Sequence, residues 1–227
     1  VHRFFTPLLR RLYIFSCAFL LVYYSVWLVH HSSWNKERLY QRLLHGSQDD
    51  KLRAVSALIF VDGEGQLIRA LKSRSPMVRQ IAANSLLNLW SIKAGNKAHS
   101  LLESADQSIG RQAYADALAT LTDAIDKYPK FAEAWNRRAT LYWQLGKFKE
   151  AIEDCRTVVG LNPNHFAAWQ GMGLCQVRLG DLNGACHSFR AALKINPHDR
   201  ALQYLLLHCE DLLQQVVPEQ IRRYDAV

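Results

Sequence analysis

The sequence predicts an all-α fold, a right-handed α-solenoid of helix-turn-helix repeats with an N-terminal transmembrane helix. Three observations carry that expectation. Pro129, Pro163 and Pro197 are spaced by 34 residues, and so are Ala117, Ala151 and Ala185; several residue types holding one period of this length mark a repeat architecture. Glycine (11) and proline (6) are scarce among 227 residues, which disfavours a turn-rich β fold. Leu12–Val29 reads LYIFSCAFLLVYYSVWLV without a charge over 18 residues. As a helix it would be about 27 Å long, close to the hydrocarbon thickness of a bilayer.

The elements follow in order. Residues 1–11 form a basic flank containing Arg3, Arg10 and Arg11. Residues 12–29 are the transmembrane helix, with Tyr13, Tyr23, Tyr24 and Trp27 suited to an aromatic belt and His30, His31, Trp34 and Lys36 beyond its far end. A buried soluble helix and a cleaved signal peptide are the alternatives; the apolar run is long for a signal peptide, and no A-x-A-like site follows Val29. Orientation stays open, since Arg3, Arg10 and Arg11 on one side balance Lys36, Arg38 and Arg42 on the other. The first residue is Val, so the chain reads as a fragment or a processed form.

Residues 30–48 read as a juxtamembrane linker and 49–96 as a helical segment. In the latter, Asp49 and Asp50 stand ready to cap a helix carrying Leu52, Val55, Leu58 and Ile59. Asp62-Gly63-Glu64-Gly65 breaks the pattern, and Leu67, Ile68 and Leu71 begin a short second helix. Ser75-Pro76 gives an N-cap followed by proline in the first turn, and Val78, Ile81, Ala82, Ser85, Leu86 and Leu89 mark an amphipathic face. Ser75-Pro76-Met77-Val78-Arg79-Gln80-Ile81-Ala82-Ala83 resembles HEAT repeats, and Leu52-Arg53-Ala54-Val55 is similar to a degenerate earlier copy. The resemblance implies that Arg79 pairs with an acidic residue of a neighbouring repeat; a plain helical hairpin leading into the solenoid is the alternative.

Trp135 and Trp169, like Gly146 and Gly180, repeat the 34-residue spacing. Taking Trp135 as the fourth residue of a unit gives repeats at 98–131, 132–165 and 166–199, then a capping helix at 200–216 and a tail at 217–227. Trp135, Ala139, Tyr142, Gly146, Ala151 and Pro163 of the second unit resemble the signature of tetratricopeptide repeats. So do Trp169, Gly173, Gly180, Ala185, Phe189, Ala192 and Pro197 of the third. Cys155 and Gln176 stand where the family has aromatic residues, and in the degenerate first unit Leu101 replaces the tryptophan while Ala117, Ala124 and Pro129 fit. Ala132 to Thr140, with Asn162-Pro163-Asn164-His165-Phe166, also resembles small exported tetratricopeptide proteins. That likeness implies an organellar membrane (chloroplast or mitochondrion) or a bacterial envelope.

Charge and chemistry narrow the function. Residues 1–96 hold 13 Lys/Arg and 5 Asp/Glu, a net of +8, whereas residues 97–227 hold 15 of each. The basic character therefore lies beside the apolar segment, where anionic headgroups would meet it, and the neutral repeats argue against an RNA-binding helical repeat. No phosphate loop, nucleophile elbow or HExxH occurs, so no catalytic residue and no cofactor is expected. His30-His31, Cys186-His187 and His208-Cys209 are poor metal pairs, and no C-x-x-C occurs among Cys17, Cys155, Cys175, Cys186 and Cys209, so no metal site and no structural disulfide is expected.

The expected function is a membrane-anchored scaffold or assembly factor that binds a peptide or helix of a protein partner, not an enzyme. A permanent structural subunit of a membrane complex is the second reading. The resemblance implies a groove lined by His99, Leu102, Asp106, Asn136, Thr140, Trp143, Gln144, Gln170, Leu174 and Arg178, continued by Tyr204 and His208 on the capping helix. It also implies that an acidic chaperone tail is not the ligand. The family members that grip such a tail carry Lys, Asn and Arg where this chain has Leu102, Asp106, Arg137, Ala167 and Gly171.

Overall fold

The computed structural model describes the backbone of residues 7–224, with side chains at 13, 15–29 and 31–215. Residues 1–6 of the basic flank and 225–227 of the tail lie outside the described residues. The described chain is a succession of α-helices, α1 (Pro7–His31), α2 (Ser33–His45), α3 (Gln48–Phe60), α4 (Glu64–Ala70), α5 (Pro76–Ile92), α6 (Asn96–Gly110), α7 (Tyr114–Lys127), α8 (Ala132–Gln144), α9 (Phe148–Leu161), α10 (Phe166–Arg178), α11 (Leu182–Ile195) and α12 (Arg200–Tyr224).

The hairpins α6–α7, α8–α9 and α10–α11 form the stack, and the 34-residue period has a visible cause at three places in each. The turn between the paired helices needs a left-handed residue: Gly146 has φ +73° and Gly180 φ +79°, and Gln112, 34 residues before Gly146, adopts φ +61°. Only glycine reaches that region without a steric cost. At the helix crossing a small residue is required. Ala105 and Ala139 are buried, and a Cβ on Gly173 would lie 2.5 Å from the ring of Phe189. At the turn between units, Trp135 Nε1 donates to the Pro129 carbonyl at 3.1 Å and Trp169 Nε1 to the Pro163 carbonyl at 3.0 Å. Gln203 Nε2 donates to the Pro197 carbonyl at 2.7 Å, so α12 sits as the first helix of a further unit. At its crossing position stands Leu207, 57 % exposed. The helix runs to Tyr224, beyond the residue 216 expected from the apolar stripe.

The N-terminal part departs from expectation in three ways. Residues 30–48 are not a linker. Ser32 caps α2 by accepting the amide of Asn35, and Leu39 and Leu43, four residues apart, enter the core. The cap of α3 is Ser47, which accepts the Asp50 amide while the Asp50 carboxylate bonds back to the Ser47 amide, so Asp50 completes a capping box instead of capping alone. Arg79 donates to the carbonyls of Ser73 and Arg74 at 2.9 and 3.0 Å, binding a loop where the HEAT resemblance implied an acid.

Helices α2–α5 share one core around Leu43, Leu58, Leu67, Leu71 and Leu86, and that core includes Phe166 and Ile195 of the repeats. Through it α5 lies across the edge of the solenoid where the inter-unit turns occur. The Trp90 ring stacks on His165 with centroids 4.4 Å apart and meets Phe166 at 5.7 Å. Trp90 Nε1 also donates to Glu64 at 2.8 Å, and Lys93 Nζ pairs with the same carboxylate at 2.6 Å, tying α4 to α5. Burial works to raise the Glu64 carboxyl, but the Lys93 and Trp90 hydrogen bonds outweigh it and hold the group below its ordinary value.

The expected transmembrane helix at 12–29 lies within α1, and side chains 12 and 14 fall outside the described ones. Among the described residues no single helix is long and apolar enough to cross a membrane; Phe15–Val29 and Ser33–His45 together form a pair bent by 47°.

Candidate partner-binding groove

On α8, Asn136, Thr140 and Trp143 follow at intervals of four and three residues, which places them on one face of the helix. Gln170 and Leu174 do the same on α10. The stacking of α8, α9 and α10 brings all five around one recess of about 190 Å³, with Ala139, Ala167 and Gly171 in its walls and Cys155 and Cys175 at its base. A Cβ on Gly171 would touch only Cys155 Sγ, at 3.7 Å, so glycine here keeps the recess open without being demanded by close packing. Trp143 is 41 % exposed and lines this recess; it is not packed under the α2–α5 segment. The recess exceeds the roughly 150 Å³ cavity that holds a benzene molecule, which suits one large apolar side chain.

The base of the recess is chemically quiet. Burial pushes the Cys155 thiol up to about 12 and Cys175 to about 11, so both are neutral thiols and weak nucleophiles near neutrality. Among the described residues no three His, Cys, Asp or Glu side chains converge as metal ligands.

The remaining groove residues divide. Gln144 is exposed beyond the recess, and the Arg178 guanidinium lies over Phe148 at 4.8 Å. Tyr204 and His208 stack on one another on α12, centroids 6.3 Å apart. Asp106 pairs with Arg137 at 3.2 Å. His99 sits with Nδ1 3.1 Å from the Ser91 carbonyl and Nε2 3.5 Å from Glu103, which ties α6 back to the end of α5. Leu102 does not face the groove. It is 2 % exposed and packs with Ala98 and Ala105 in the α6–α7 core.

A buried polar cluster behind the groove centres on Glu133 and His165, neither of them among the expected site residues. Glu133, 3 % exposed, takes His165 Nε2 at 3.0 Å, Arg137 Nε at 3.0 Å and the Asn136 amide at 3.4 Å. His165 Nδ1 accepts the Ala168 amide at 3.2 Å and thereby caps α10. A ring nitrogen that accepts an N–H carries no proton, so Nε2 is the donor to Glu133. The cluster links the α5 docking site, through Trp90 on His165, to Arg137 and Asp106 on the groove side. On the opposite face of α8, Arg138 grips Asp154 of α9 through two bonds of 2.8 and 2.9 Å and lies over the Trp135 ring at 5.0 Å. The Asp154 bond holds the Arg138 guanidinium above its ordinary value against the opposing effect of burial.

Comparison with known proteins agrees with this geometry. Models of the tetratricopeptide repeat match residues 132–165 and 166–199. A TPR repeat-containing protein of Rhizobium etli is 32 % identical over 139 residues, covering 61 % of this chain and 68 % of that protein. Human DnaJ homolog subfamily C member 7 is 31 % identical over 104 residues, which cover 46 % of this chain but 21 % of the human protein. Among solved structures, the first TPR of Spaghetti (RPAP3) bound to the HSP90 peptide SRMEEVD is similar with a TM-score of 0.50 and 25 % identity, over 52 % of this chain and 94 % of that one.

Proposed function

The chain belongs to the tetratricopeptide repeat family, and from that premise we propose that it is a scaffold or assembly factor that holds a peptide or helix of a protein partner in the groove of α8 and α10 while α1 ties it to a membrane. One observation carries the binding part. Five groove residues from two helices surround a single recess, with the Gln170 amide and the Asn136 amide oxygen placed to bond a peptide backbone and Trp143 to flank an apolar anchor. Tryptophan is among the residue types most enriched at interface hot spots.

The ligand is not an acidic chaperone tail of the kind held by the Spaghetti domain. Leu102 is buried, Asp106 brings a negative charge that Arg137 already neutralises, and Ala167 and Gly171 offer no cation. The membrane part rests on α1. Phe15, Phe19, Leu20, Leu21 and Tyr23 are all exposed, and each forgoes about 1.5–3 kcal/mol of burial while it faces water; a lipid environment removes that deficit. The membrane we infer is organellar or that of a bacterial envelope. Retention of the chain in the pellet after alkaline carbonate tests the anchor, and quantitative release refutes it.

The groove is tested with Trp143→Ala and Asn136→Ala in the full chain, purified in mild detergent with quantitative identification of what co-purifies. Loss of a stoichiometric partner with an unchanged helical melt is expected. Unchanged recovery for both variants moves the partner site elsewhere, and loss of folding with Trp143→Ala makes that side chain structural.

A further inference from the structure

A line of rings leaves α1 and continues onto the helical domain. Tyr24 and Trp27 stack with centroids 6.0 Å apart, Trp27 and His31 at 4.5 Å, and His31 meets Phe60 at 6.2 Å. Phe60 belongs to α3, not α1, and is 78 % exposed at the last position of its helix. Trp34, at the start of α2, is 65 % exposed with the Arg38 guanidinium over its ring at 5.3 Å. Lys36 Nζ donates to the Asp62 carbonyl at 3.0 Å, fixing the start of α2 against the turn that follows Phe60. The end of α1, the start of α2 and the end of α3 therefore meet at one corner of the domain. That corner carries large exposed rings and the cations Lys36 and Arg38.

We infer that this corner is a membrane-docking surface, in which Phe60 and Trp34 enter the interfacial layer of an anionic phospholipid bilayer while Lys36 and Arg38 face its headgroups. The inference rests on the reading of α1 as the anchor. Three features select lipid over a protein occupant. The ring line is continuous with the apolar surface of α1, so whatever medium covers Trp27 also reaches Phe60. Aromatic side chains with flanking Lys and Arg are the composition of a membrane–water boundary. The +8 net charge of residues 1–96, against zero for residues 97–227, complements the negative surface of an anionic leaflet. The 47° bend between α1 and α2 then sets α2 oblique to the bilayer, the His31–Phe60 ring contact joins the end of α1 to α3, and the Lys36–Asp62 bond ties α2 to the turn after α3, so the solenoid stands at a fixed attitude instead of swinging on a tether.

The test places a polarity-sensitive fluorophore on the full chain in phosphatidylcholine–phosphatidylserine vesicles that carry a nitroxide quencher at headgroup depth. The background is Cys17→Ser; the four cysteines of the repeats are buried and are masked from labelling in the native state. The label is placed by Phe60→Cys or, independently, by Trp34→Cys, and a reference label by Leu145→Cys in the turn between α8 and α9. Each variant is first shown to keep its helical melt. Blue-shifted emission and several-fold stronger quenching at 60 and 34 than at 145 are expected. Water-like, unquenched emission at 60 and 34 in a chain that still resists alkaline carbonate overturns the docking surface and leaves the anchor standing. Equal quenching at all three sites also overturns it, because the domain would then lie flat. Release by carbonate brings down the anchor reading itself, and the inference with it.

Discussion

Replacing Glu133 with alanine removes the shared acceptor of a buried cluster, and the structure sets the size of the effect. His165 is fully buried, and its Nδ1 is committed to the Ala168 amide, so without Glu133 the Nε2–H has no acceptor; a buried donor left unsatisfied costs about 1–3 kcal/mol. Arg137 also loses a bond, but its side chain is 38 % exposed and keeps Asp106, so solvent screening limits that share to about 0–1 kcal/mol. The sum is about 1–4 kcal/mol, which for a chain of this length lowers the melting temperature by about 2–4 °C per kcal/mol. Glu133→Gln, which keeps one oxygen for His165, should fall between. Circular dichroism melting of Glu133→Ala, His165→Ala and the double variant completes a cycle, with a coupling of about 0.5–3 kcal/mol expected for residues in direct contact. Trp90 emission should shift with both single variants, because its ring rests on His165. Additive effects, or a Glu133→Ala melt indistinguishable from the parent, would refute the account of the cluster as a joint between α5 and the solenoid.

Gln112→Gly should stabilise the chain by about 0.5–1 kcal/mol in urea unfolding, since it relieves a left-handed residue at a turn where the next two units already have glycine. Because the Glu64 carboxyl is held below its ordinary value, its stabilising effect is complete above the normal carboxylate range and lost as pH falls through the depressed value; the stability gap between parent and Glu64→Gln, followed by chemical denaturation, should narrow on acidification. Iodoacetamide at neutral pH should modify Cys155 and Cys175 only on unfolding, as mass spectrometry can follow, and rapid modification of the native chain would contradict their burial. Calorimetry with an acidic chaperone-tail peptide should show no binding; tight binding lost on trimming its terminal carboxylate would overturn the reading of Leu102, Asp106, Arg137, Ala167 and Gly171.

The repeats were legible because each period residue answers to a local constraint: a left-handed turn at Gly146 and Gly180, a close crossing at Ala139 and Gly173, a helix stop at the prolines. Leu102 misled because the groove position that holds Asn136 and Gln170 in the next two units carries a leucine in the first, which packs with Ala98 and Ala105 in the α6–α7 core. Helix α2 was hidden by its charges, although Ser32, the Leu39–Leu43 spacing and Gly46 spell out a cap, a buried stripe and a stop. No local pattern announces the Trp90–His165 stack or the His165–Glu133 pair, each of which joins residues far apart in sequence. Five members of the groove emerged together because they sit on two well-formed units, whereas His99, Gln144 and Arg178 sit where neighbours draw them away or the recess does not reach.

The Leu207 side chain on α12 has a consequence for assembly. A stack of like units is open at each end, and an uncovered terminal helix invites the next copy to add in the same manner, which for a heterologous contact leads to fibres. Adding a helix in the register used by α7, α9 and α11 requires alanine or glycine at the crossing, and Leu207 occupies that place. Leu207 therefore stands against a further helix packed on α12 in that register, and Leu207→Ala should make the chain more prone to self-associate as its concentration rises.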